Sequence, residues 1–144
     1  MKTIALRFAE NFSPDEGTIY HHQKILDENG YVWYGKLGSA VSKTYLEEIL
    51  KSDDPKFLLI QSGGTGRYWI HFCDTCKNVP DKEHIPAYYR DVADKFKTWF
   101  KVIRIEKADR DVMSKCIVIS SKSPLSHASM YSMSPYFKIE YKEQ

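Results

Sequence analysis

The stretch KFLLIQSGGTGRYWIHFCDT, residues 56–75, decides the fold class. Two runs rich in β-branched, aliphatic and aromatic residues flank Ser62-Gly63-Gly64-Thr65-Gly66, the pattern of two antiparallel strands joined at a glycine-rich tip. The tip resembles a phosphate-binding loop in composition. It lacks the terminal Gly-Lys-Ser/Thr and joins two strands rather than opening a helix, so a hairpin tip is the expected reading. Its glycines permit close backbone approach, and Ser62 and Thr65 offer hydroxyls to a ligand.

Working outward, residues 2–8 alternate as a strand, with Ile4, Leu6 and Phe8 on one face and Thr3, Ala5 and Arg7 on the other. Residues 11–17 carry turn chemistry. Helical spacing covers 18–29, with Gly30 placed as a C-terminal cap. A strand is expected over 31–36, then a helix over 43–52 with Ser42 as its N-cap and Tyr45, Leu46, Ile49 and Leu50 as its buried stripe. Residues 77–98 read as polar and irregular, with one helical turn near 88–96. Strands follow at 98–108, 114–121 and 136–141, and 123–135 reads as a polar segment of small residues. The sum is an α+β fold: a small twisted barrel of about six strands, mostly antiparallel, with two or three short helices.

The whole chain, 144 residues, reads as a single domain (1–144), long enough to build a core without disulfides. A net charge of +2 excludes a polycation, so any nucleic-acid contact must come from a local patch. No apolar run approaches the roughly 20 residues of a membrane span, and no membrane partner is expected. Three cysteines without a secretory signal point to a reduced, cytoplasmic protein.

His71, Cys73, Cys76 and His84 have the residue types for zinc. The spacing lacks two tight ligand pairs, so ordinary strand cysteines are expected, with no metal and no cofactor. No Gly-x-Ser-x-Gly element is present, and no constellation demands an enzyme. Lys95, Lys97, Lys101, Arg104 and Lys107 interleave with Phe96, Trp99 and Phe100, which fits either a nucleic-acid surface or a solvated strand. On that strand Lys101, Ile103, Ile105 and Lys107 would share one face. The neighbours Trp33 and Tyr34 must point to opposite faces of theirs.

The order of these features resembles the PUA-like superfamily, in its EVE and YTH branches. The quoted features are a strand bearing VW, a polar bend and helix, LLIQSGGTGRYW, an aromatic loop, WFKVIRIEK, VISSKSPLSHAS and a closing YFKI. EVE-like domains also serve as DNA-reading modules of modification-dependent restriction systems. The resemblance implies a non-catalytic reader that flips one modified, methylated nucleobase into an aromatic cage. It places Trp33 on the cage wall, with Tyr34 at the core or rim, Ser62 at the nearby tip, and Tyr88, Tyr89 and Phe96 on the loop. Phe96 stands where YTH domains carry Trp. Lys36, Lys95, Lys97, Lys101, Arg104 and Lys107 would follow the backbone. DNA or RNA carrying a modified base is the implied partner, with a fused or associated nuclease or NTPase beside it. Trp69 and Trp99 are expected to pack inside. Two alternatives stay open: a PUA-like domain that binds a small molecule or free nucleotide, and a hydrolase acting through Cys73 or His71.

Overall fold

The computed structural model describes residues 1–10, 15–132, 134 and 136–142, with Tyr89 described by its backbone alone. Part of the turn expected at 11–17 therefore lies outside the described residues. Seven strands form one sheet in the order β2-β5-β4-β3-β1-β7-β6. They are β1 (Lys2–Phe8), β2 (Val32–Lys36), β3 (Lys56–Gln61), β4 (Arg67–Cys76), β5 (Thr98–Lys107), β6 (Cys116–Val118) and β7 (Tyr136–Tyr141). The helices are α1 (Thr18–Asn29), α2 (Lys43–Leu50) and α3 (Leu125–Tyr131). The α+β class and the mostly antiparallel pairing match the sequence reading. The strand count is seven rather than about six, and among the described residues the ladder has two edges, β2 and β6, with no pairing that closes it into a barrel.

Local chemistry sets the element ends. Gly30 adopts φ 87°, a left-handed conformation that an L side chain resists, and its N–H caps Leu26 O at 2.8 Å. The Ser42 hydroxyl accepts the Tyr45 N–H at 3.4 Å at the start of α2. One pairing departs from the expected antiparallel pattern: β1 runs parallel to β3, in register from Ala5–Leu58 to Phe8–Gln61. β1 suits a central strand because Ile4, Ala5 and Leu6 are all buried, on alternating faces.

Alternation sorts the interior into three clusters. Ile4, Leu6, Phe57, Leu59, Phe72 and Phe100 form the first core, against which α1 and α2 pack. Ala5, Leu58, Trp69, Leu125 and Ile139 form a second on the opposite face, under α3. Trp33, Trp99, Ile85 and Ala93 form the third, where the segment 82–95 lies across β2 and β5.

Three segments differ from the sequence reading. The strand expected over 114–121 shortens to Cys116–Val118, and α3 replaces the polar segment because Leu125, fully buried, anchors it. The expected faces of β5 also change partway. The β4–β5 register shifts around Phe72, leaving Cys73 and Ile103 without ladder partners, so Ile105 rather than Arg104 turns to the first core.

On β4, His71 is buried between two carboxylates, with Nδ1 2.8 Å from Asp54 Oδ1 and Nε2 2.9 Å from Glu106 Oε1. An ionised carboxylate only accepts, so a hydrogen bond in either pair is donated by the ring. The His71 hydrogen bond is the leading cause that holds both carboxyls below their ordinary range. Groups depressed on folding contribute stability that is present above the unfolded carboxylate range and lost as pH falls through the folded one. Thermal melts should therefore lose stability as pH drops below about 4. Asp54→Asn should flatten that loss modestly, because Asp54 is largely exposed.

Candidate functional site

Because β1 and β3 are parallel, the hairpin tip comes to rest beside the end of β1, where the Ser62 N–H donates to Phe8 O at 2.8 Å. The ends of β1 and β2, the first turns of α1 and the 88–96 segment converge there. Together they enclose an open cavity of about 630 Å³. Its aromatic wall is Tyr34, Tyr88 and Phe96, with His22, Thr18 and the apolar Leu6, Phe8 and Val92 behind and beside them. Arg7, Lys36, Lys95 and Ser62 supply polar groups.

The rings are held by their neighbours. Phe96 packs edge-on against Trp99, with centroids 5.3 Å apart. Tyr88 sits 5.5 Å from the His21 ring and directs its hydroxyl to Thr18 Oγ1 at 3.4 Å. Tyr34 lies 5.2 Å from the His22 ring. Gly35 is required for this packing. A Cβ there would stand 2.8 Å from Trp99 and 2.9 Å from Phe96. Gly35→Ala should thus push Phe96 off the wall and cost about 1–3 kcal/mol, the usual penalty for overpacking, read as a lowered melting temperature.

The protonatable groups in the wall are kept neutral. Burial pushes His22 down to about 4, against a smaller opposing effect of its Nδ1–Thr18 O contact at 2.8 Å. Burial also pushes the Tyr34 and Tyr88 phenols up. Lys36 is the buried cation of the site at 5% exposure, and burial lowers its pKa. Its Nζ donates to Leu37 O at 2.9 Å and Ser39 O at 2.7 Å and lies 5.1 Å from the Tyr136 ring centroid.

The expected site residues thus divide. Tyr34, Ser62, Tyr88, Phe96, Lys36 and Lys95 line one cavity. Trp33 does not. It is 7% exposed, belongs to the third cluster, and its Nε1–H donates to Asp81 Oδ1 at 2.9 Å. Tyr31 and His84 also bond to Asp81 and stack on each other. Strand alternation placed the two neighbours on opposite faces, and the cavity took Tyr34's face. The side chain of Tyr89 lies outside the described residues. Among the other cations, Lys101 Nζ lies 4.4 Å from the Tyr31 ring centroid and Arg104 pairs with Glu106 at 2.9 Å. Lys97 and Lys107 are exposed, and none of these four lines the cavity.

Sequence reading missed Arg7, Thr18 and His22 as wall residues. Arg7 left a signal, a cation inside an otherwise apolar strand. Neither residue of the hydrolase alternative lines the cavity: His71 is clamped between carboxylates, and Cys73 is exposed on a bulge. Among the described residues no group of three or more His, Cys, Asp or Glu is arranged to hold a metal.

A family model described as Pua-like matches residues 4–140, nearly the whole chain. The chain belongs to the PUA-like family. No curated protein and no solved structure gives a significant match. PUA-like membership points to nucleic-acid binding, and PUA-like domains are generally binding modules rather than catalysts. Among the described residues of this PUA-like domain, no helix is long and apolar enough to cross a membrane.

Proposed function

We propose that this PUA-like domain is a non-catalytic reader that takes one modified, methylated nucleobase out of a DNA or RNA strand and seats it in the cavity walled by Tyr34, Tyr88 and Phe96. The observation that carries the reading is the meeting of three aromatic rings and neutral polar groups in one open cavity of about 630 Å³. That volume falls within the range of small-ligand sites. Extruding a base costs a few kcal/mol of stacking and pairing. Each base–aromatic stack returns about 1–3 kcal/mol, so two or three rings offset that cost. A methyl group buried in the same wall adds about 0.8 kcal/mol, enough to bias the choice of base.

The neutral state of His22, Tyr34 and Tyr88 suits an uncharged heterocycle, because a buried fixed charge would have to be desolvated with it. Lys36 and Lys95 stand at the same cavity and serve the sugar–phosphate chain. Lys97, Lys101, Arg104 and Lys107 would extend that contact along β5 and the bend before it. The test is a titration of methylated and unmethylated oligonucleotides against the intact domain and its Phe96→Ala and Tyr88→Ala variants. Loss of discrimination in the variants supports the reading. A free nucleoside bound as tightly as the strand would favour the small-molecule alternative.

A further inference from the structure

A second cavity of about 440 Å³ adjoins the first, sharing Arg7 and Ser62 with it. Its lining contrasts with that of the base cavity. Among the described residues it has no aromatic ring and no carboxylate. It has two guanidinium groups, Arg7 and Arg67, the hydroxyls of Ser62, Thr65 and Ser129, and the backbone of Gly63 and Gly64.

Both guanidinium groups lack an acidic partner among the described residues. Arg7 Nη2 donates to Ser129 O at 2.8 Å and Ser132 O at 2.7 Å. Arg67 Nη1 donates to Gly64 O at 3.2 Å and Gly66 O at 2.9 Å, and its Nε lies 2.7 Å from Met113 Sδ. Carbonyl and thioether partners fix the orientation of these groups but leave their charge uncompensated. Some other cations do meet carboxylates, as Arg104 meets Glu106 and Lys115 meets Asp109 and Asp111. Two half-buried guanidinium groups held in place beside hydroxyls and a glycine-rich backbone make a preformed anion receptor.

We propose that this second cavity is a phosphate site, and that it takes the phosphodiester next to the base seated in the first cavity. The phosphate chemistry stands on Arg7, Arg67 and the tip alone, whereas its assignment to a nucleic-acid strand rests on the base-reading proposal. The two cavities meet at Arg7 and Ser62, so one nucleotide and its neighbouring phosphate can occupy both at once. The glycines of the tip allow an anion to approach the backbone closely.

The experiment has two arms. In the first, melting temperatures of the intact domain are compared in inorganic phosphate and in chloride at matched ionic strength. Phosphate should raise the melting temperature, and Arg67→Gln should abolish the rise. Thr65→Glu, a substitution on the exposed tip that adds a carboxylate without removing a core contact, should do the same and covers the case in which Arg67→Gln fails to fold. No phosphate-specific rise, or a rise that survives in Thr65→Glu, would overturn the site. In the second arm, oligonucleotide binding is followed against salt. Thr65→Glu and Arg67→Gln should lower the slope of log affinity against log salt by about one. A phosphate rise with an unchanged slope would overturn the strand assignment in favour of free phosphate. Phe96→Ala should keep the phosphate rise even where base preference is lost, so failure of the base reading and failure of the phosphate site are told apart.

Discussion

Trp33→Ala is expected to lower the stability of the domain by about 3–5 kcal/mol, the range for deleting a buried aromatic side chain. Trp33 is 7% exposed and shares a cluster with Trp99, Ile85 and Ala93, so its removal leaves a cavity between β2 and the 82–95 segment. It also deprives Asp81 of the indole N–H that holds it at 2.9 Å. Trp33 therefore lies behind the aromatic wall of the cavity: it packs against the segment that carries Tyr88 and Phe96. Trp33→Phe should keep part of the packing, lose the Asp81 bond, and fall between wild type and alanine in a denaturant titration. A Trp33→Ala domain with wild-type stability would show that the third cluster is not what holds this segment.

The second large effect is expected on binding. Phe96→Ala and Tyr88→Ala each remove one ring from the wall, so each should weaken binding of a modified strand by about 1–3 kcal/mol, roughly fivefold or more. Both side chains are only partly buried, so their stability cost should stay well below that of Trp33→Ala. Affinity for the unmodified strand should fall less, because its base also stacks on the ring but has no methyl contact to lose. Fluorescence anisotropy on paired oligonucleotides reads both quantities. Equal losses for modified and unmodified strands would assign these rings to general affinity rather than to reading the mark.

Much of the fold was legible because its signals are local. The alternation of Ile4, Leu6 and Phe8, the left-handed Gly30, the Ser42 cap and the hairpin around Ser62–Gly66 each specify structure within a few residues. The parallel β1–β3 pair was not legible, since its partners lie some fifty residues apart and either strand alone reads as a generic apolar run. The β4–β5 register shift was hidden for a related reason: nothing in WFKVIRIEK marks Ile103 as the residue where the core face changes. α3 has weak intrinsic signals and forms because Leu125 finds a buried place.

The lining of the candidate cavity was legible only in part. Period two fixed Trp33 and Tyr34 on opposite faces, yet which face borders a cavity depends on where the 82–95 segment packs, a tertiary fact. Trp33 looked like the better stacking platform for its size, and that same apolar area is what the third cluster buries. Lys36 was expected to touch phosphate. It lines the cavity at 5% exposure, held by two backbone carbonyls, a placement that the sequence alone did not show.

The central claim is that a marked base enters the cavity between Tyr34, Tyr88 and Phe96. The most direct measurement is a titration of single-stranded oligonucleotides, each methylated at one base and paired with an otherwise identical unmodified strand, against wild type and Phe96→Ala. The account predicts that wild type prefers at least one methylated strand to its unmodified twin, and that Phe96→Ala binds both members of that pair equally. A preference that survives intact in Phe96→Ala, or no preference in wild type for any methylated strand, would contradict it.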